Sequence, residues 1–207
     1  MKPIKEGDNR GTTLAEMIVT FALIGIFLAA AAAVISSAVV LHGELTTSMY
    51  AQSVGEMLLD KITGELAAAQ PEGEKALVIV NSETAPQDNA VLFYDKNGKP
   101  VHCMTRNGLM VLHYLGEEMI DGQEIDIAFN ELESLEEPVG YEWGLDEKAY
   151  MGFRITELQI QRLTEENVLE VTLTVQSLKT GYVYTASRVT RCYNFKTRQD
   201  YGRIVEG

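Results

Sequence analysis

Glu16 is the first side chain in this sequence whose chemistry would be unusual where it stands. It lies at the mouth of an uncharged, largely apolar run, 17–41, and five residues after Gly11. A carboxylate at a bilayer centre costs on the order of 2.5 to 3.5 kcal/mol, less near an interface, so an acid in that position calls for a partner and a role. The chemistry it offers is ion pairing in a low dielectric, where one charge pair can set register between chains. Cys103 and Cys192 come next, 89 residues apart. They could form a disulfide worth up to about 4.5 kcal/mol on the loop-entropy model, or stay as two buried thiols, and their spacing leaves both open. A third candidate is the acidic stretch 116–150, with Glu117, Glu118, Asp121, Glu124, Asp126 and Glu131 among its carboxylates. Such oxygens suit calcium, yet no D-x-D-x-D-G spacing occurs and Asp95-x-Asn97-Gly98 lacks the distal Glu of a calcium loop, so a solvated loop or surface strand competes. His42, His102 and His113 are the only histidines; the latter two flank a predicted hairpin turn without an acid or nucleophile motif, Cys103 next to His102 points to the opposite strand face, and both read as polar surface groups. No G-x-S-x-G, Walker A, H-E-x-x-H or C-x-x-C is present. The residues therefore point away from an enzyme, and no cofactor or metal is called for.

The elements that must position these residues begin with the apolar run. Its 25 residues, at about 1.5 Å of rise each, are enough to cross a hydrocarbon core of about 30 Å as one helix. Beyond it Ala51, Val54, Leu58, Ile62, Leu66 and Ala69 recur at steps of 3, 4, 4, 4 and 3, the period of an amphipathic helix, and Pro71 with Gly73 closes it. The two segments make one long helix, about 84 Å over 14–69, in which Gly25, Gly43, Gly55 and Gly64 are points of bending. After Pro71 the period changes. Short apolar or alternating runs at 76–80, 90–94, 101–105 and 109–115 are separated by Asp95-Lys96-Asn97-Gly98 and Arg106-Asn107-Gly108, which predicts an antiparallel meander. Further strands are expected at 153–163, 167–177 and 182–193, with Leu178-Lys179-Thr180-Gly181 as a hairpin turn. The expected fold class is α+β: a long N-terminal helix with a transmembrane half and an amphipathic outer half, packed on an antiparallel β-sheet head.

The front of the chain resembles the type IV prepilin N-terminus. Lys2, Lys5 and Arg10 form a short basic leader, Gly11 ends it, Glu16 follows five residues later, and the uninterrupted apolar helix begins there. The resemblance covers residues 1–41. It implies that a prepilin peptidase cuts between Gly11 and Thr12, that the new amine of Thr12 is methylated, and that Glu16 serves subunit assembly. Two departures bear on which kind of pilin this resembles. Thr12 stands where an aromatic residue or Met is usual, and Ala33 where the major pilins carry a helix-breaking Pro, which points to a minor pilin or pseudopilin. A Thr12 ammonium would lie four residues before Glu16, on the same helix face, so the pair could close within one subunit or between neighbours. The helix N-terminus favours the carboxylate in either case.

The resulting division is a leader at 1–11, a transmembrane helix at 12–41, an outer helix at 42–70, a β-rich head at 71–195 and a polar tail at 196–207 that frays. Thirty acidic against 17 basic residues give a net charge of −13, and removing a leader of net +1 leaves −14. Such a chain repels phosphate backbones, so no direct nucleic-acid binding is expected. The expected function is a filament subunit of a type IV pilus, a type II secretion pseudopilus or a competence pseudopilus. The implied partners are other pilin subunits, prepilin peptidase, an assembly platform membrane protein, its ATPase and membrane lipid. The head would lie outside the cytoplasm, then in a cell-surface or periplasmic filament. Two readings compete: a single-pass receptor or binding domain with an uncleaved anchor, and a secretory signal peptide cut near Ala33, against which the apolar stretch 34–41 argues.

Overall fold

A computed structural model describes residues 14–72, 76–82, 89–115, 140–163 and 167–206. The chain opens with one helix, α1, Leu14–Ala68. The strands are β1 Leu77–Val80, β2 Ala90–Tyr94, β3 Pro100–Arg106, β4 Leu109–Leu115, β5 Gly140–Gly144, β6 Phe153–Arg162, β7 Val168–Ser177, β8 Val183–Arg191 and β9 Ile204–Glu206, with a short helix α2, Arg198–Gly202, before the last. The fold is α+β, a long N-terminal helix packed against β-sheets whose pairings are antiparallel except for β1 with β9.

Two compact units meet between Thr46 and Thr47. In the first, the described residues are all α1, with an apolar sequence and almost entirely exposed side chains. The second is the head. Its six-stranded sheet has the order β5-β4-β3-β2-β1-β9, and its three-stranded sheet the order β6-β7-β8. The sequence predicts one sheet, whereas the described residues of the head form two, because β6, β7 and β8 make their own antiparallel ladder. One hydrophobic core serves all of it. The six stripe residues, five in α1 from Ala51 to Leu66 and Ala69 just past its end, are each at most 1% exposed, and they join Val91, Phe93, Cys103 and Leu112 of one sheet and Leu158, Leu169, Val171 and Leu173 of the other. Gly55, Leu59 and Thr63, one position on from that stripe, are buried too. A helix covered on two sides needs an apolar face wider than a single row.

The turns follow the local chemistry. Asn107 and Gly108 both have positive φ, 54° and 73°, as a two-residue turn between right-twisted strands requires. The end of α1 is closed from a distance: the Asn194 side-chain amide donates to the carbonyls of Ala68 and Ala69 at 3.1 and 3.2 Å, and the Tyr193 N–H donates to that of Ala67 at 3.1 Å. These bonds satisfy carbonyls that a helix end leaves open.

The tail departs from expectation. Residues 196–206 do not fray: α2 leads into β9, which pairs in parallel with β1, Leu77 opposite Ile204, and Ile204 is buried. The Thr197 hydroxyl accepts from the Asp200 N–H at 3.2 Å while an Asp200 oxygen accepts from the Thr197 N–H at 2.8 Å, a reciprocal cap that starts α2.

Candidate functional site

In α1 the residue types explain the local structure directly. Met, Leu, Ala and Ile at most positions favour helix, and hydroxyls in the apolar run bond back to the turn before them. Thr20 donates to the Glu16 carbonyl at 2.7 Å and Ser37 to the Ala33 carbonyl at 3.0 Å. Polar side chains satisfied in this way suit a medium without water. The apolar positions face outward on every side: Phe21, Ile26, Phe27, Val34 and Ile35 are each more than 60% exposed. Covering such side chains is worth about 1.5–3 kcal/mol each, so water is a poor medium for this segment. The helix is long enough and apolar enough to cross a membrane.

Glu16 stands in the first turn of that helix and is exposed. An acid in a first turn is favoured by the helix dipole by about 0.3–1 kcal/mol. Gly11 and Thr12, the expected cleavage pair and methylation site, lie outside the described residues. So does 116–139, the larger part of the acidic stretch considered for calcium. The described acids of its remainder have partners within the chain. Glu142 accepts from Arg106 at 2.7 Å, Asp146 caps the 3-10 turn Glu147–Tyr150 through the Lys148 N–H, and Glu147 pairs with Arg154. Asp95 accepts from the N–H groups of Asn97 and Lys99 at 2.7 and 2.9 Å, which makes it the organiser of its turn. Among the described residues no three His, Cys, Asp or Glu side chains are gathered as a metal would need.

Cys103 and Cys192 are free thiols, both buried, and burial pushes each up to about 12. They belong to different parts of the head, Cys103 in β3 on the helix-facing side and Cys192 just after β8, where its N–H donates to the Asn167 carbonyl. Of the two outcomes the sequence left open, the structure has the thiols.

The histidines are the residues that the sequence reading placed wrongly. His102 and His113 are directly opposed across β3 and β4 and are buried, 5% and 7% exposed, where polar surface groups were expected. Burial lowers His102 to about 4, helped by His113 and Arg106, and lowers His113 as well, against the pull of Glu142. Nε2 of His113 has no hydrogen-bond partner among the described residues. The signal was available: a two-residue turn at Asn107-Gly108 fixes the register, and counting outward from it sets 102 opposite 113. A groove of about 820 Å³ runs between Asp60, Thr63 and Gly64 of α1 and Thr190, Arg191 and Tyr193. Its one carboxylate, Asp60, is paired with Arg188.

No protein-family model and no curated protein matches this chain.

Proposed function

We propose that the chain is a pilin-like subunit of the minor pilin or pseudopilin kind, a non-catalytic part of an export-type filament. The observation that carries the reading is the placement of Gly11 and Glu16 immediately before an apolar run that continues, as one helix, into an α+β head. Prepilin peptidase would cut after Gly11 and methylate Thr12, and the subunit would sit in the membrane with its head outside the cytoplasm until drawn into a type IV pilus, a type II secretion pseudopilus or a competence pseudopilus. A membrane platform protein and its ATPase would move it. Support comes from the exposed apolar side chains of α1, which in a filament would exchange lipid for neighbouring helices at little cost, both being apolar surroundings.

Glu16 is the residue whose removal separates assembly from insertion. Glu16→Gln should leave membrane insertion and cleavage intact, because neither needs a charge pair. In filaments sheared from cells that also make the parent chain, the variant should be reduced at least tenfold relative to its share in the membrane, since a neutral amide leaves a neighbour's Thr12 ammonium without its counter-charge. Equal incorporation of variant and parent would rule out the intersubunit pairing.

A further inference from the structure

β8 runs along the outer half of α1, and the contacts between them occur in order. The Tyr182 hydroxyl donates to Ser48 Oγ at 3.2 Å, the Tyr184 ring lies over Gly55, Arg188 pairs with Glu56 and Asp60, the Thr190 hydroxyl donates to the Thr63 carbonyl, and Tyr193 reaches Ala67. The β7–β8 turn at 178–182 is therefore held at the Ser48 end of the head. Apolar side chains are exposed around that turn: Leu178 is 68% exposed, Met151 and Val183 51% each, and Tyr182 38%. Met151 belongs to the same patch because the Leu178 N–H donates to the Gly152 carbonyl at 2.9 Å. Lys179 is exposed on the turn itself.

Ser48 follows residue 41, the last of the apolar run, by seven residues, about 10 Å of helix rise. A link of seven residues, whatever its course, holds Ser48 within about 25 Å of the end of the run, and the polar layer of a bilayer is about 5–8 Å thick on each side. Exposed apolar groups, an amphipathic aromatic and one cation are the composition that partitions into it.

Resting on the reading of 17–41 as a membrane span, we propose that the β7–β8 turn is a membrane-docking site. Leu178 and Met151 enter the headgroup layer, Tyr182 lies at its boundary, and Lys179 faces the lipid phosphates. The occupant is the lipid surface, so the head of an unassembled subunit rests on the bilayer, and leaving the membrane for a filament requires this contact to break.

The test uses the full-length protein reconstituted at one protomer per phosphatidylcholine nanodisc. Leu178→Cys, Lys96→Cys and Ala33→Cys each carry a fluorophore, while the native thiols, buried, stay unlabelled. Lys96 is exposed on the β2–β3 turn, at the other end of the head, since Tyr94 pairs with Gln70 just past the helix. With nitroxide on the lipid headgroups, the label at 178 should be quenched at least twofold more than the label at 96, and with nitroxide deep in the acyl chains the label at 33 should be quenched. Quenching at 33 with equal, weak quenching at 178 and 96 would overturn the docking site and leave the span standing. An unquenched label at 33 would remove the span and the proposal with it. If 178 becomes shielded only in vesicles crowded with protein, with no quenching by lipid nitroxide, the patch binds a second copy and the proposal is likewise overturned.

Discussion

His102 and His113 show how a single register decides a residue's fate. On opposed positions of β3 and β4 they share a face with Arg106 and Glu142, and burial keeps both neutral. The folded pKa of each lies below the unfolded value of about 6.5, so the unfolded chain takes up more protons as pH falls. Their contribution is fully present above about pH 6.5 and is lost as pH falls towards 4, by up to about 3 kcal/mol for His102. Urea denaturation followed against pH should show this loss, and His102→Leu with His113→Leu should remove most of the difference between pH 6.5 and 4.5. An unchanged slope in the double variant would mean that other groups carry the pH dependence. The two cysteines allow a simpler check. Buried thiols at about 12 should resist alkylation at pH 8 in the native state, and both should react in denaturant without reductant; a mass lacking both adducts would reveal a disulfide. Asp95, by contrast, was legible only by half: its turn could be read from Asn97-Gly98, but its two backbone bonds needed the folded loop.

At the scale of elements, two glycines of α1 that look alike in sequence part company. A Cβ on Gly55 would lie 2.8 Å from Tyr184 Cε1, whereas one on Gly64 meets nothing within 4 Å. Gly64→Ala should therefore stabilise the head by about 0.5–1 kcal/mol through helix propensity alone. Gly55→Ala should destabilise it by about 1 kcal/mol, and in a Tyr184→Ala background the same change should become stabilising. Thermal melts of the parent, the three single variants and the Gly55→Ala/Tyr184→Ala double variant check this, and additive effects at 55 and 184 would show that the ring yields freely. The sequence had Gly55 as a point of bending, because one-dimensional periodicity carries no information about a strand more than 120 residues away. The stripe from Ala51 to Ala69 was legible for the opposite reason: burial on a regular helix repeats at a fixed local period. β9 was hidden because three residues in parallel with β1 depend on a distant partner.

For the whole molecule, the chain divides at Thr46/Thr47, and the described residues beyond it share one hydrophobic core. A chain starting at Thr47 should be soluble and unfold in one transition, and Ile62→Asp in that chain should abolish the transition, since an unpaired carboxylate would enter the core. A variant as stable as its parent would contradict the packing described. The fold class was legible because helix and strand periods switch sharply at Pro71; the split into two sheets was not, because it depends on which strands pair across the core. The central claim, a pilin-like subunit, rests on residues 10–16 and on the helix that follows. Its most direct test is the mass of the mature chain isolated from the membrane of cells that contain a prepilin peptidase. The account predicts an N-terminus at Thr12, carrying a methyl group, and retention of the leader when Gly11→Val blocks the cut. A mature chain that begins at Met1, or near Ala33, would contradict it.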